Sequence, residues 1–319
     1  MRPRFQIGEL TMSERKKSGI LSNKNSRYVY LLALLPFVFI VVMYELLPLI
    51  MLVVDSFQLD KVSKTSNILF TLGGTEFSLD NYTKIFNTLS YQKAIENSLK
   101  ITLISTAVGI IIAFLGARAA YQSRGKFRTV YMTVLNMTSN FAGVPLAFAY
   151  MILLGNAGVL KLLANKYGIE FLSNFDLYTS NGLTLMYIYF QIPLSTLLLI
   201  PAFNGIRNEW NEANMLLGGT TTRFWGHVGI PVLLPSILST LSVLFANALC
   251  AYATAYALLM NNFSLLPVNI SASFVGDIKT KPKLGAALSV VMMIILCVVI
   301  LINNGVTKLT TKWERGSKS

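Results

Sequence analysis

Few side chains in this sequence have the chemistry for a reaction, and their spacing argues against one. The single histidine, His227, has no Cys, Asp or Glu cluster beside it, so it does not make a metal-ligand set. The two cysteines, Cys250 and Cys297, fall inside apolar runs, where a free thiol behaves as a small apolar residue. No Ser/His/Asp arrangement describes a nucleophile with its base. No GxxxxGK[ST] run is present to cradle the phosphates of ATP. The chain therefore reads as non-catalytic, with no cofactor and no metal. Two sets of polar residues remain. One is a segment of about thirty residues, 206–235, far longer than a plain connection needs. It carries Glu209, Glu212, Ala213, Asn214, Gly218 and Pro231. The other is a scatter of neutral polar groups within apolar runs: Asn136, Asn140, Gln191, Asn247 and Tyr252. The chemistry open to both sets is docking and hydrogen bonding.

The elements that must position these residues follow from composition. Of 319 residues, 54% are hydrophobic and 13% charged, and the mean hydropathy is +0.57. Soluble domains carry about 25% charged residues, so this is a membrane composition. A spanning helix needs about 20 mostly apolar residues. Six stretches qualify: 28–54, 99–120, 130–154, 183–203, 235–260 and 284–306. The first follows a polar tail and is too long for the core of a secretory signal, so it reads as an uncleaved span. The predicted fold class is all-α, polytopic, with about six transmembrane helices in the lipid bilayer.

The net charge of +13 would suggest nucleic acid in a soluble protein. Here no basic stripe with interleaved aromatics appears, and nucleic-acid binding is not expected. The charge instead sets orientation. Arg2, Arg4, Arg15, Lys16, Lys17, Lys24 and Arg27 precede the first span; Arg118, Arg124, Lys126 and Arg128 follow the second. Arg207 and Arg223 lie between the fourth and fifth, and Lys308, Lys312, Arg315 and Lys318 near the end. The other connections mix their lysines with Asp55, Asp60, Glu76, Asp80, Glu96, Glu170, Asp176 and Asp277. Both termini and the 206–235 segment are thus expected in the cytoplasm. Charge inside the spans is nearly limited to Glu45, which lies near the end of a long span and can snorkel to the interface, and Lys100, an interfacial anchor at a span mouth.

Local signals predict how 206–235 folds. Asn208 or Asn211 can cap a helix whose first turn holds Glu209 and Glu212, where the dipole favours acids. Gly218 and Gly219 can end it in a left-handed cap. A second short apolar helix should then run into Pro231, with Pro231 and Pro235 breaking the helix at the start of the fifth span.

The spacing Glu212-Ala213-Asn214, then Gly218, then Val228-Gly229-Ile230-Pro231, resembles the EAA loop of type I ABC importer permeases. Asn214 departs from the small third residue of that loop, and His227 stands where a basic residue is common. The run Phe77-Ser-Leu-Asp-Asn-Tyr82, with Asn97-Ser98 beyond it, resembles the stretch that precedes the core of the same family. The resemblance covers about two thirds of the chain. It implies a cytoplasmic tail (1–27), a first helix with an extracytoplasmic loop (28–96), a permease core (97–308) with its coupling loop at 204–234, and a C-terminal tail (309–319). It further implies a binding-protein-dependent transport component in the bacterial cytoplasmic membrane. Its partners would be a second permease subunit, two ATP-binding-cassette subunits and an extracytoplasmic solute-binding protein. Glu209, Glu212, Ala213, Asn214, Gly218 and Pro231 would dock the ATPase. Asn136, Asn140, Gln191, Asn247 and Tyr252 would line the path, although each could equally hydrogen-bond a neighbouring helix. Size and loop resemble the group carrying polyamines, iron, thiamine or phosphonates. The alternative is a secondary transporter driven by an ion gradient. That reading expects ionisable groups at mid-membrane and internal repeats, which this sequence lacks.

Overall fold

The computed structural model describes residues 34–59, 68–72, 75–123, 125–260, 263–275 and 280–316. The expected N-terminal tail, the start of the first span, and Asp60, Lys61, Lys64, Arg124, Asp277 and Lys279 lie outside them. Six helices are long and apolar enough to cross a membrane, by length and composition.

Two units are distinct, residues 1–55 and 56–319. In the first, the described chain is helix α1, Leu34–Ser56, whose last residue belongs to the second unit. It has a π turn at Val42–Leu46, just ahead of Pro48. A proline has no N–H and its ring clashes with the carbonyl four residues back; a widened turn relieves both problems.

The second unit is a helical bundle with one small hairpin, β1 (Ile68–Leu72) paired antiparallel with β2 (Thr75–Ser78). Its helices are α2 (Asp80–Asn87), α3 (Leu89–Gln122), α4 (Gly125–Ser139), α5 (Val144–Leu154), α6 (Val159–Tyr167), α7 (Glu170–Ser173) and α8 (Ser180–Phe203). They are followed by α9 (Asn208–Leu216), α10 (Thr221–Leu249), α11 (Ala253–Leu259), α12 (Leu266–Phe274) and α13 (Pro282–Gly316).

The centre is the contact between α3 and α8. Lipid tails are as apolar as leucine, so helices in a bilayer associate through close packing and hydrogen bonds. α3 supplies a stripe of small residues, with Ser98, Thr102, Ser105, Thr106, Gly109, Ala113, Ala117 and Ala120 all buried. A Cβ on Gly109 would stand 3.2 Å from the Cβ of Gln191, which shows how near the two backbones come. Gln191 is fully buried and donates to Ser105 Oγ at 2.8 Å, while Thr106 Oγ1 donates to Gln191 Oε1 at 3.4 Å. Pro193 does not interrupt α8. Ser195 Oγ donates to the Gln191 carbonyl and Thr196 Oγ1 to the Ile192 carbonyl, taking up acceptors in the disturbed turn.

Two expected spans are broken instead of continuous. The third crosses as α4 and α5, with a break at 140–143; α4 packs by Leu135 against Leu199, Ile200 and Phe203, and α5 by Leu146 and Leu154 against Leu183 and Met186. The polar run Asn136–Asn140 lowers the hydropathy there, and the apolar window shifts to 144–167, taking in α6. Gly143 ends the break at φ +71° and ψ −141°, a region open to glycine alone. The fifth span breaks at 250–252, between α10 and α11. Tyr187 of α8 donates its hydroxyl to the freed carbonyl of Ala251 at 2.6 Å. Pro231 and Pro235 do not break α10. A π turn at Trp225–Gly229 precedes Pro231 and absorbs its steric demand, so the helix runs unbroken from Thr221.

At the end of the bundle remote from 204–234, the Phe77–Tyr82 run acts as a clamp. Asn81 is buried and donates to the carbonyls of Ser56 and Gln58, and Tyr82 bonds Ser56 Oγ. Asn97 donates to the Ser264 carbonyl, and Ser98 Oγ accepts from Leu266 N–H, which fixes the start of α12 on α3. α13 is tied to α10 by Asn303, whose amide donates to the Leu238 carbonyl and Ser242 Oγ.

The α3–α8 seam should govern stability. Gly109→Leu forces a branched side chain onto Gln191 and is expected to lower the melting temperature in detergent by several degrees. Gln191→Ala, which leaves Ser105 and Thr106 without their partner, should cost about 1 kcal/mol. Scanning fluorimetry of the purified variants checks both; unchanged melting for Gly109→Leu would remove the seam as the central contact.

Candidate functional site: the 204–234 segment and the polar face of α10

The sequence-predicted helix forms as α9, with Glu209 in its first turn. The expected cap does not. Arg207 holds the N-cap position without a side-chain bond, and Asn211 lies inside the helix. Asn211 Oδ1 is buried with no hydrogen-bond partner. It borders a cleft of about 350 Å³ shared with Tyr121, Gln122, Arg207 and Thr221. The reason is local: Ile206 is pulled into the core, so the chain enters the helix one residue earlier than an Asn211 cap would require.

Gly218 closes α9 as expected, at φ +76°. Gly219 serves differently. A Cβ on it would stand 2.1 Å from Asn214 Oδ1, because Asn214 folds over the turn and donates its amide to the Thr220 carbonyl at 3.2 Å. Gly219 N–H also donates to the Asn214 carbonyl at 2.8 Å. Asn214, the residue that departs from the EAA pattern, thus builds the turn that follows it. Thr220 then caps α10, accepting from Arg223 N–H at 3.3 Å. Glu209, Glu212 and Ala213 are exposed on α9. Its far end is apolar and bare: Leu216 and Leu217 are 89% and 88% exposed, with Met215 beside them.

This knob is fixed to the bundle by an aromatic cluster that sequence reasoning missed. Trp225, in the π turn, packs against Phe114 of α3, Phe203 of α8 and Phe224. Arg118 of α3 lies over the Trp225 ring, 4.6 Å from its centroid, a cation–π contact. Tyr121 packs on Phe203 and donates to the Ile206 carbonyl at 3.1 Å. Gly229 is needed here, since a Cβ would stand 2.5 Å from the indole. A signal existed in the sequence: Phe114, Arg118 and Tyr121 recur at helical spacing on one face. His227 is exposed on the outer side of the same turn, its Nδ1 3.1 Å from the Arg223 carbonyl. Pro231 is partly buried at the start of the straight part of α10, directly after the π turn.

The residues expected to line a path do not form one group. Gln191 is in the α3–α8 seam and closed off. Asn136 and Asn140 are exposed, and their amides donate to the carbonyls of Met132 and Asn136, each at 2.8 Å. Asn247 is exposed on α10, and Tyr252 stacks on Tyr256 with ring centroids 5.1 Å apart. Missed in the sequence was the rest of that α10 face. Ser236, Ser239, Thr240 and Val243 line a cleft of about 330 Å³ with Leu198 of α8. The same face continues to Asn247 and Cys250, at spacings of three and four. Hydroxyls and amides at membrane depth face protein or a water-filled cavity in preference to lipid.

No family model matches the chain. It is 23% identical over 213 residues to a probable sulfate transport system permease protein of Helicosporidium, covering 66% of this chain and 75% of the relative. It is 22% identical over 267 residues to the spermidine/putrescine transport system permease protein PotC of Haemophilus influenzae, covering 83% and 93%. Among solved structures, a bacterial alginate ABC transporter in complex with its pentasaccharide-bound periplasmic protein superposes with a TM-score of 0.69 at 15% identity, covering 90% of this chain and 96% of that one. The chain is a distant relative of ABC transporter permeases and has the six-helix, polytopic all-α fold of the importer permease class.

Proposed function

We propose that this chain is one of the two membrane-spanning halves of an ATP-driven importer, seated in a bacterial cytoplasmic membrane with both termini in the cytoplasm. It works with a second permease, two separate ATPase subunits and an extracytoplasmic solute-binding protein. The observation that carries the reading is the knob: a short stiff helix with a bare Met215–Leu217 tip, held on the bundle by Trp225. Exposed leucines on an otherwise polar loop suit a groove in a partner protein. The same knob carries the EAA-like spacing.

Coupling then has a physical route. Motion imposed on α9 passes through Ile206 and Tyr121 to α3, and through Trp225 to α3 and α8. α8 passes it on to the broken crossings that pack along its length. Similarity does not choose the solute: the relatives' names run from sulfate to spermidine and putrescine. The group suggested by the sequence, polyamines, iron, thiamine or phosphonates, lies within that range.

Glu212→Arg and Leu216→Asp should abolish ATP-dependent uptake in vesicles while the chain remains in the membrane. Crosslinking from a cysteine placed at 216 should capture a nucleotide-hydrolysing subunit; uptake that persists without ATP sinks the reading. Trp225→Ala is expected to leave ATP hydrolysis by the complex largely intact but cut uptake per ATP about tenfold, the loss of roughly 1.4 kcal/mol of mechanical coupling. Arg118→Met, which removes only the cation–π contact, should show a smaller uncoupling in the same assay. Parallel loss of hydrolysis and uptake in both variants would make the cluster a plain packing feature.

A further inference from the structure

The two helix breaks meet. A Cβ on Gly143 would stand 3.6 Å from the Cβ of Ala253, and α5 packs on α11 through Leu146, Ala147, Ala255 and Leu258. Around this crossing the exposed side chains are neutral and polar: Asn140 before Gly143, Asn247 and Cys250 on α10, and Tyr256 on α11. Asn136 lies one turn before Asn140, and the Ser236–Ser239 cleft continues the α10 face toward the knob. No charged side chain belongs to this run of residues.

Hydrogen-bond polarity narrows the solute further. The amide N–H groups of Asn136 and Asn140 are committed to their own helix, which fixes the orientation of both side chains. Their Oδ1 atoms remain as acceptors. An anion would meet acceptors with no cation to pair, and a polycation would find no carboxylate; both would be desolvated without compensation. A neutral molecule rich in hydroxyl donors meets neither penalty. Tyr256 is 42% exposed while stacked on Tyr252, so it offers an aromatic face held rigid from behind. A sugar ring has an apolar C–H face that packs on such a surface.

We propose that the solute is uncharged and hydroxyl-rich, a polyol or saccharide, and that it passes the crossed breaks on the acceptors of Asn136, Asn140 and Asn247 and the face of Tyr256. This rests on the importer reading and sets aside the charged solutes suggested by the sequence resemblance.

Cys250 supplies the reporter. In vesicles carrying the whole transporter, Cys297→Ser leaves Cys250 as the one thiol of this chain. A charged, water-soluble methanethiosulfonate should label it, read on this chain after isolation. Near-saturating neutral saccharides (trehalose, maltotriose and raffinose together) should slow labelling about tenfold, as mass action requires. Putrescine and sulfate should not. Tyr256→Ala should abolish the protection and Tyr256→Phe keep it. Protection by putrescine or sulfate, or by none of the solutes, overturns the solute class while leaving the importer reading standing. A Cys250 that stays unlabelled overturns the path itself. Failure of the importer reading shows separately, as uptake that does not depend on ATP.

Discussion

Inside a bilayer a polar group has no water to fall back on, and every irregularity of the backbone must be answered by another part of the protein. In this chain the answer is α8. Its Gln191 reaches across to Ser105 and Thr106, its Tyr187 takes the carbonyl released by the break at Ala251, and Ser195 and Thr196 take up acceptors around its own Pro193. The rest of the bundle is arranged along this helix. α3 lies against it through a stripe of small residues, and the two broken crossings pack along its length. Without the close approach at Gly109, neither break would have a partner within reach.

The breaks have a mechanical consequence. A continuous helix transmits rotation along its whole length, whereas a helix divided by a few residues can turn as two parts. α4 belongs to the same core cluster as Phe203, Ile206 and Phe224; α5 and α11 belong to the cluster at the other end. Motion at the knob can therefore reach one half of a crossing without dragging the other. In the proposed importer that is the property required to open one face while the other closes. Gly143 is the residue through which the backbone turns, and its φ/ψ is open to no other residue type.

The knob illustrates how one substitution in a family pattern can be absorbed. Where the EAA loop has a small residue, Asn214 bonds Thr220 and covers Gly219. The turn is then held by a side chain in addition to the left-handed Gly218. Trp225 illustrates the reverse: a large residue whose place depends on small ones. It fits because Gly229 leaves room, and it carries the positive Arg118 on its face at the end of the bundle where basic residues gather.

Length and hydropathy determined that this chain spans a membrane about six times, since nothing else accommodates so many apolar runs. Spacing determined the helix at α9, its stop at Gly218 and the relation to permeases. Local chemistry was legible because its causes are local: a glycine at a left-handed turn needs no distant partner. The breaks at 140–143 and 250–252 were not legible, because hydropathy counts residues and is blind to a backbone that turns while remaining apolar. Nor was the fate of Gln191 against that of Asn247. Both are amides in apolar runs, and only packing sends the first into a closed seam and leaves the second on an open face. The aromatic cluster under the knob joins residues about a hundred positions apart in sequence, which only the tertiary structure brings within contact distance.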